Sequence, residues 1–271
     1  MKRILIPTDY SASAFEALAF AERLALQMQG EIFLMHLHDS VDLTVHAAGV
    51  VATADLNLRA QNRSELFRLA DELEHQGLRV HSIFVEDRGE QKIEDYLLPY
   101  NIDLIVMGSR GLTGLPSVIG STTRSVIRHA HLPVIIFSEE SDASVPVKKI
   151  LFASTFRKDE RASIFITNEL ALLLNAELHI TFLNHPGHLI EEKAARALVA
   201  EAAVGIPLEK WLLHVVNTNH DQLGIEQVAN EVGANMIAVS EKQNSFLSRI
   251  TGMGLTESLI SSQNRPVLSL P

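Results

Sequence analysis

Short, nearly continuous apolar runs alternate along the chain with longer stretches whose apolar residues recur every three or four positions. The first run, Ile4-Leu5-Ile6, predicts a strand over residues 2–7, and the polar Thr8-Asp9-Tyr10-Ser11 predicts a turn. Ala14, Ala17, Leu18, Ala21, Leu24, Ala25 and Met28 fall on one helical face, so a helix is expected over 13–28, closed by Gly30. A second strand is expected over 31–38, a polar loop of small residues from 39 to about 54, and a long amphipathic helix over 56–76 ended by Gly77. A strand over 78–85, a short helix over 89–100 and a strand over 103–107 follow. A glycine-rich loop then leads to a helix over 121–130 and a last strand over 133–137.

The pattern then begins again. Residues 138–148, with charges, Ser and Pro, read as a linker. Lys149-Ile150-Leu151-Phe152-Ala153-Ser154-Thr155 lies over Arg3-Ile4-Leu5-Ile6-Pro7-Thr8-Asp9, and residues 162–174 mirror the first helix. Residues 177–183, 235–239 and 265–270 mirror 31–37, 103–107 and 132–137. Two copies of one module, 1–138 and 148–271, are the economical reading. Strands alternating with helices imply right-handed crossovers and a parallel sheet, and strands this apolar imply cover on both faces.

Composition narrows the classes of function. With 271 residues, 46% of them hydrophobic, there is ample material for a core. A formal net charge of −10, with no basic run, argues against general binding of nucleic acid or of an anionic membrane surface. The chain has no cysteine, which excludes disulfides, zinc–thiolate sites and thiol catalysis. No run approaches the ~20 apolar residues of a membrane helix, and Asp9 follows the first apolar run too soon for a signal peptide. The cytoplasm is the default expectation.

The candidate chemistry lies in Gly108-Ser109-Arg110-Gly111-Leu112-Thr113-Gly114-Leu115-Pro116-Ser117-Val118-Ile119-Gly120-Ser121-Thr122. A glycine loop between a buried strand and a helix start offers backbone donors and a partial positive charge to a phosphate chain. The other reading is a connecting loop with a Ser/Thr cap. In a doubly wound sheet, ligands sit beyond the carboxyl ends of the strands where strand order reverses. With the strand order that the resemblance described next implies, those ends are Pro7-Thr8-Asp9 and Met107-Gly108, so two distant signals converge on one crevice.

Ile-Leu-Ile-Pro-Thr-Asp at the start, Asp-Leu-Ile-Val-Met-Gly-Ser-Arg-Gly in the middle and Pro-Val at the last strand resemble the universal stress protein family. The resemblance covers the chain as a tandem pair and is specific in the first half. It implies an α/β fold of two doubly wound modules, each a five-stranded parallel sheet of order 3-2-1-4-5 flanked by helices. Many members of this family bind ATP, while others lack the glycine motif and do not. By resemblance, Asp9 would stand near the adenosine moiety, with Pro7 and Thr8 shaping the wall and Met107 and Gly108 lining base and ribose. Arg110 and Gly111 would lie along the phosphates, and Gly120, Ser121 and Thr122 would hold them. Leu37 and Val85 could touch the base, or be plain core. Asp9 has a second reading as a helix cap. ATP or a related adenine nucleotide is the expected ligand, with Mg arriving only as its counterion and no metal site of the protein's own. The last strands, 134–137 and 267–270, are expected to pair within one molecule, and a homodimer stays open.

The loop departs from the family pattern, which places nine residues between its second glycine and the Gly-Ser/Thr pair. Here eight separate Gly111 from Gly120, Pro116 among them. Retained nucleotide and a closed crevice are therefore alternatives, the second making the protein a stress scaffold or interaction protein. In the second half Thr155 replaces Asp9, and Ser240-Glu241-Lys242-Gln243 replaces Gly108-Ser109-Arg110-Gly111, so a degenerate, non-binding copy is expected. His185-Pro186-Gly187-His188 resembles a nucleotidyltransferase signature, and Ser121-Thr122-Thr123-Arg124 another part of it, but they fall in different modules. His36, His38 and His46 suggest a metal, though an alternating pair on a strand is more often packed. No strong base faces the proposed phosphates, so catalysis is expected to be nil or a slow ATP hydrolysis.

Overall fold

The computed structural model describes residues 1–39, 48–87, 97–109, 119–156, 159–187, 189–208, 211–240 and 254–271. They form two compact units, Met1–Leu132 and Pro133–Pro271. Among the described residues no helix is long and apolar enough to cross a membrane.

The first unit runs β1 (Arg3–Pro7), α1 (Ala12–Met28), β2 (Glu31–Asp39), α2 (Ala48–His75), β3 (Arg79–Asp87), a 3-10 turn (Leu98–Tyr100), β4 (Leu104–Gly108) and α3 (Ser121–His129). Its strands are parallel in the order β3-β2-β1-β4. Ile4, Leu5, Ile6, Ile32, Leu34, Leu104 and Ile105 are fully buried, each worth roughly 1.5–3 kcal/mol of apolar burial. Because β1 pairs with both β2 and β4, order reverses at β1, as the family resemblance implies.

The second unit runs β5 (Val134–Phe137), β6 (Lys149–Ser154), α4 (Arg161–Leu174), β7 (Glu177–Asn184), α5 (Glu192–Ala202), β8 (Trp211–Asn217), α6 (Asp221–Val232), β9 (Met236–Ser240), α7 (Leu255–Ser262) and β10 (Val267–Leu270). The strands β8-β7-β6-β9-β10 are parallel and repeat the order 3-2-1-4-5 in full. β5 joins them antiparallel on β10, with Val267 opposite Ile136 and Ser269 opposite Val134. β5 follows β4 in the strand order, as expected for the last strand of the first module, while falling in the second compact unit. The expected linker is packed there too. Ser141, Ala143 and Val147 are buried, and Ser138 Oγ donates to the Gln263 carbonyl at 3.1 Å.

Several boundaries differ from the expectation. α2 starts at Ala48, eight residues earlier than its amphipathic stripe, because the stretch before Leu56 is helical without an apolar face of large residues. Only the 3-10 turn of the expected helix over 89–100 lies among the described residues. α1 is not ended by Gly30 in the left-handed region: Gln29 takes that conformation, at φ 52°, and donates to the Ala25 and Leu26 carbonyls. Gly30 serves another purpose, since a Cβ there would stand 2.7 Å from the Lys2 carbonyl oxygen.

Gly108 is tighter still. A Cβ on it would lie 2.5 Å from Ser13 Oγ, 2.7 Å from the Ala14 nitrogen and 2.8 Å from the Ser13 carbonyl carbon. The first turn of α1 therefore rests directly on the end of β4. Gly108→Ala should push that turn away and destabilise the chain by about 1–3 kcal/mol, read as a lower midpoint in thermal unfolding.

In the second unit, His179 on β7 and His214 on β8 stack at 5.2 Å, with His179 Nδ1 2.9 Å from His214 Nε2. Burial lowers the pKa of His179, and the neighbouring His214 lowers it further; burial also lowers that of His214. Both rings are therefore held neutral in the folded chain, while the unfolded chain takes up protons near pH ~6.5. Their stabilising contribution is full above that pH and is lost as pH falls from it toward the lowered folded values. Urea unfolding of His179→Phe between pH 7 and 5 should show a shallower loss of stability than the wild type.

Candidate functional site

The carboxyl ends of β1 and β4, at the reversal of strand order, border a cavity of about 80 Å³, partly open to solvent. Bounded by the described residues alone, it is smaller than the ~300–1,000 Å³ typical of small-molecule sites. Its lining brings together Pro7, Thr8, Asp9, Leu37, Met107, Gly108 and Thr122, all named from the sequence, and adds Ala14 and Thr123. Val85 does not line it. It is buried on β3 opposite Leu37. Gly120 and Ser121 stand at the start of α3 beside Thr122 but are not part of the lining. Arg110, Gly111 and the short stretch ahead of Gly120 lie outside the described residues.

One wall is the turn between β1 and α1. The Thr8 N–H donates to the Met35 carbonyl at 2.8 Å, and the Tyr10 N–H to Thr8 Oγ1 at 3.2 Å. Tyr10 holds a left-handed φ of 64°, which a bulky residue adopts only when its surroundings fix it. Its ring stacks on His36 at 4.7 Å, and its hydroxyl donates to the Asn62 carbonyl at 2.6 Å. Burial, reinforced by the charge of Glu65, raises the Tyr10 pKa well above the usual phenol, so it remains a donor. Asp9 is not the cap of α1. Ser11 is, accepting from the Ala14 N–H at 3.3 Å, while Asp9 Oδ1 accepts from the Ser11 N–H at 3.0 Å and tightens the turn ahead of the helix. One carboxylate edge of Asp9 is spent on the backbone, and the residue still borders the cavity.

The opposite wall is the start of α3. Gly120 is its N-cap, with φ −59° and ψ 150°, and no side chain caps it. The Gly120 N–H donates to the Ser109 carbonyl at 2.9 Å. Thr123, missed as a site residue, donates from Oγ1 to the Gly108 carbonyl at 3.0 Å and ties the helix start to the end of β4. Its sequence signal was its place in the Ser-Thr-Thr run. An uncapped helix start with a Thr hydroxyl at the cavity edge can receive an anion.

The second unit treats the matching place differently. Gly254 is the N-cap of α7, and the buried Glu257 accepts from the Gly254 N–H through Oε2 at 2.9 Å. Glu257 occupies the position of Thr123. Ser240, buried at the end of β9, occupies that of Gly108. Glu241 lies outside the described residues, so Glu257 is the carboxylate the structure places at this helix start.

The remaining motifs are divided between the units or lie partly outside the described residues. His185 Nε2 is 2.5 Å from Asp221 Oδ1 in the second unit, His188 lies outside the described residues, and Ser121–Arg124 belong to the first unit. His36 Nδ1 faces the Thr8 carbonyl at 2.8 Å, and both His36 and His38 stack on Phe84. His46 lies outside the described residues.

The sequence profile of the Universal stress protein family matches residues 1–138. Universal stress protein MJ0531 of Methanocaldococcus jannaschii is 30% identical over 137 residues, 50% of this chain and 81% of that protein. Universal stress protein MJ0577 of the same organism is 28% identical over 158 residues, 52% of this chain and 96% of that protein. The crystal structure of a universal stress protein from Archaeoglobus fulgidus shares the fold over 99% of this chain and 95% of its own, with a TM-score of 0.74 at 19% identity. Motifs, sheet order and profile agree, and the chain belongs to the universal stress protein family.

Proposed function

We propose that the first unit binds ATP or a related adenine nucleotide between the ends of β1 and β4, and that the protein serves a regulatory or stress-response role rather than a catalytic one. The observation that carries this reading is the cavity at the reversal of strand order, bordered by Asp9 on one side and by the start of α3 on the other. Pro7, Leu37 and Met107 offer apolar surface to a base. The free carboxylate edge of Asp9 can accept from a base amine or a ribose hydroxyl. The backbone donors of Ser121 and Thr122, with the Thr122 hydroxyl, can meet phosphate oxygens, whereas Gly120, assigned with them from the sequence, already gives its N–H to the Ser109 carbonyl. Arg110 and Gly111 are assigned to the phosphates by family resemblance. Mg would come with the nucleotide. Among the described cavity residues Asp9 is the one carboxylate, and its contact to Ser11 leaves it poorly placed as a base for hydrolysis.

A second reading, a scaffold without nucleotide, draws on two observations. Gly108 is already required by the packing of α1, and Asp9 by its turn, so neither needs a ligand to explain it. Calorimetric titration of the full chain with ATP separates the two. Saturable binding supports the nucleotide reading, and none supports the scaffold.

Gly120→Asp sharpens the test. Its backbone angles suit an N-cap Asp, which stabilises a helix, yet its carboxylate would repel phosphates. Unchanged or raised thermal stability, with ATP affinity reduced at least ~10-fold, is the expected result. Asp9→Ala should also weaken binding, at a stability cost of about 1 kcal/mol for the lost contact to Ser11. Wild-type affinity in both variants would place the nucleotide elsewhere.

A further inference from the structure

The two units build the same kind of turn after their first strands. In the first, Thr8 Oγ1 accepts from the Tyr10 N–H at 3.2 Å. In the second, Ser154 Oγ accepts from the Phe156 N–H at 2.9 Å. Tyr10 and Phe156 both take left-handed backbone conformations, at φ 64° and 52°. Each lays its ring on a side chain from the neighbouring strand. Tyr10 stacks on His36 at 4.7 Å and 19°, and Phe156 on Phe182 at 5.8 Å and 10°. Phe182 is in register with Ser154. His36 follows Met35, which is in register with Pro7, so it stands beside Thr8 in the same way.

The ring stack and the hydroxyl contact are common to both turns, and the second unit forms its turn with a phenylalanine at the position of His36, there with Ser154 Oγ also donating to the buried Glu160 at 3.0 Å. The first unit adds one hydrogen bond. The Thr8 carbonyl can only accept, so His36 Nδ1 carries the proton and donates to it at 2.8 Å, in a site where His36 is 5% exposed. A buried bond of this kind fixes a carbonyl in direction as well as position. The carbonyl belongs to the peptide between Thr8 and Asp9, and both residues border the cavity. The unit with the extra bond is the unit whose turn presents Asp9. The one without it presents Thr155.

We propose that His36 is a positioning residue for the nucleotide site: its Nδ1–H holds the Thr8–Asp9 peptide so that Asp9 meets the ligand in one orientation, and it is not required for the fold. The ligand half of this proposal rests on the nucleotide reading above. His36→Phe copies the second unit and keeps the stack. His36→Asn gives up the stack but keeps a short side-chain N–H donor.

The test uses the full chain, with ATP titration, thermal unfolding and amide hydrogen exchange. His36→Phe should keep its circular dichroism spectrum and cooperative melting, lose ATP affinity by about 5- to 20-fold, and show faster exchange at Asp9–Ser11 with unchanged exchange in β1. That fold-change corresponds to about 1–2 kcal/mol, the range of one buried hydrogen bond. His36→Asn should recover most of the affinity. Wild-type affinity in His36→Phe, loss of its fold, or equal loss in both variants would each overturn the proposal. If the wild type takes up no ATP, the nucleotide reading fails by itself. Exchange at Asp9–Ser11 then decides the positioning role, and equal rates in wild type and His36→Phe would end it.

Discussion

Everything at the proposed site depends on how closely α1 approaches the end of β4. With no room for a methyl group between Gly108 and the Ser13–Ala14 backbone, the helix start sits hard against the sheet at the reversal of strand order. This contact fixes where the β1 turn leaves the sheet and hence where Asp9 stands. Thr123 holds the other side, since its hydroxyl binds the carbonyl of the same Gly108. One residue is thus gripped by two helices, and the cavity is the space left between them. Interiors are close-packed and bistable rather than soft, so a small displacement here would be transmitted to both walls.

Glycine in this motif has two explanations that a sequence cannot separate. Open backbone for a ligand and close approach of another helix both demand a missing Cβ. At Gly108 the structure supplies the second, with the nearest clash against α1. Gly30 follows the same logic against Lys2, where the sequence suggested a helix stop. Asp9 likewise proved to brace a turn as well as border the cavity, and Ser11, not Asp9, caps α1.

Much of the architecture was legible in the residues. Strands β1, β4, β6, β9 and β10 are buried along nearly their whole length, so their apolar runs are unbroken, their alternation with helices makes the sheets parallel, and the family resemblance implied their order. The convergence of Pro7-Thr8-Asp9 with Met107-Gly108 was legible for the same reason, since sheet order alone brings them together. What escaped was set by tertiary contact. The first turns of α2 carry Gly and β-branched residues of low helix propensity, and the sequence there looks like a loop. The roles of Thr123 and Glu257 depend on which atoms a helix start faces, which no periodicity encodes.

Glu257 has a consequence for how the duplicated halves can diverge. A carboxylate bound to its own helix start is a tethered competitor whose effective concentration is on the order of millimolar or more. A free phosphate arriving at α7 must outcompete a group that never diffuses away and suffers no loss of translational freedom on binding. The exchange of a hydroxyl for a carboxylate at this position thus caps the helix start from within and sets a negative charge where the other copy has none, while the sheet below it is unchanged.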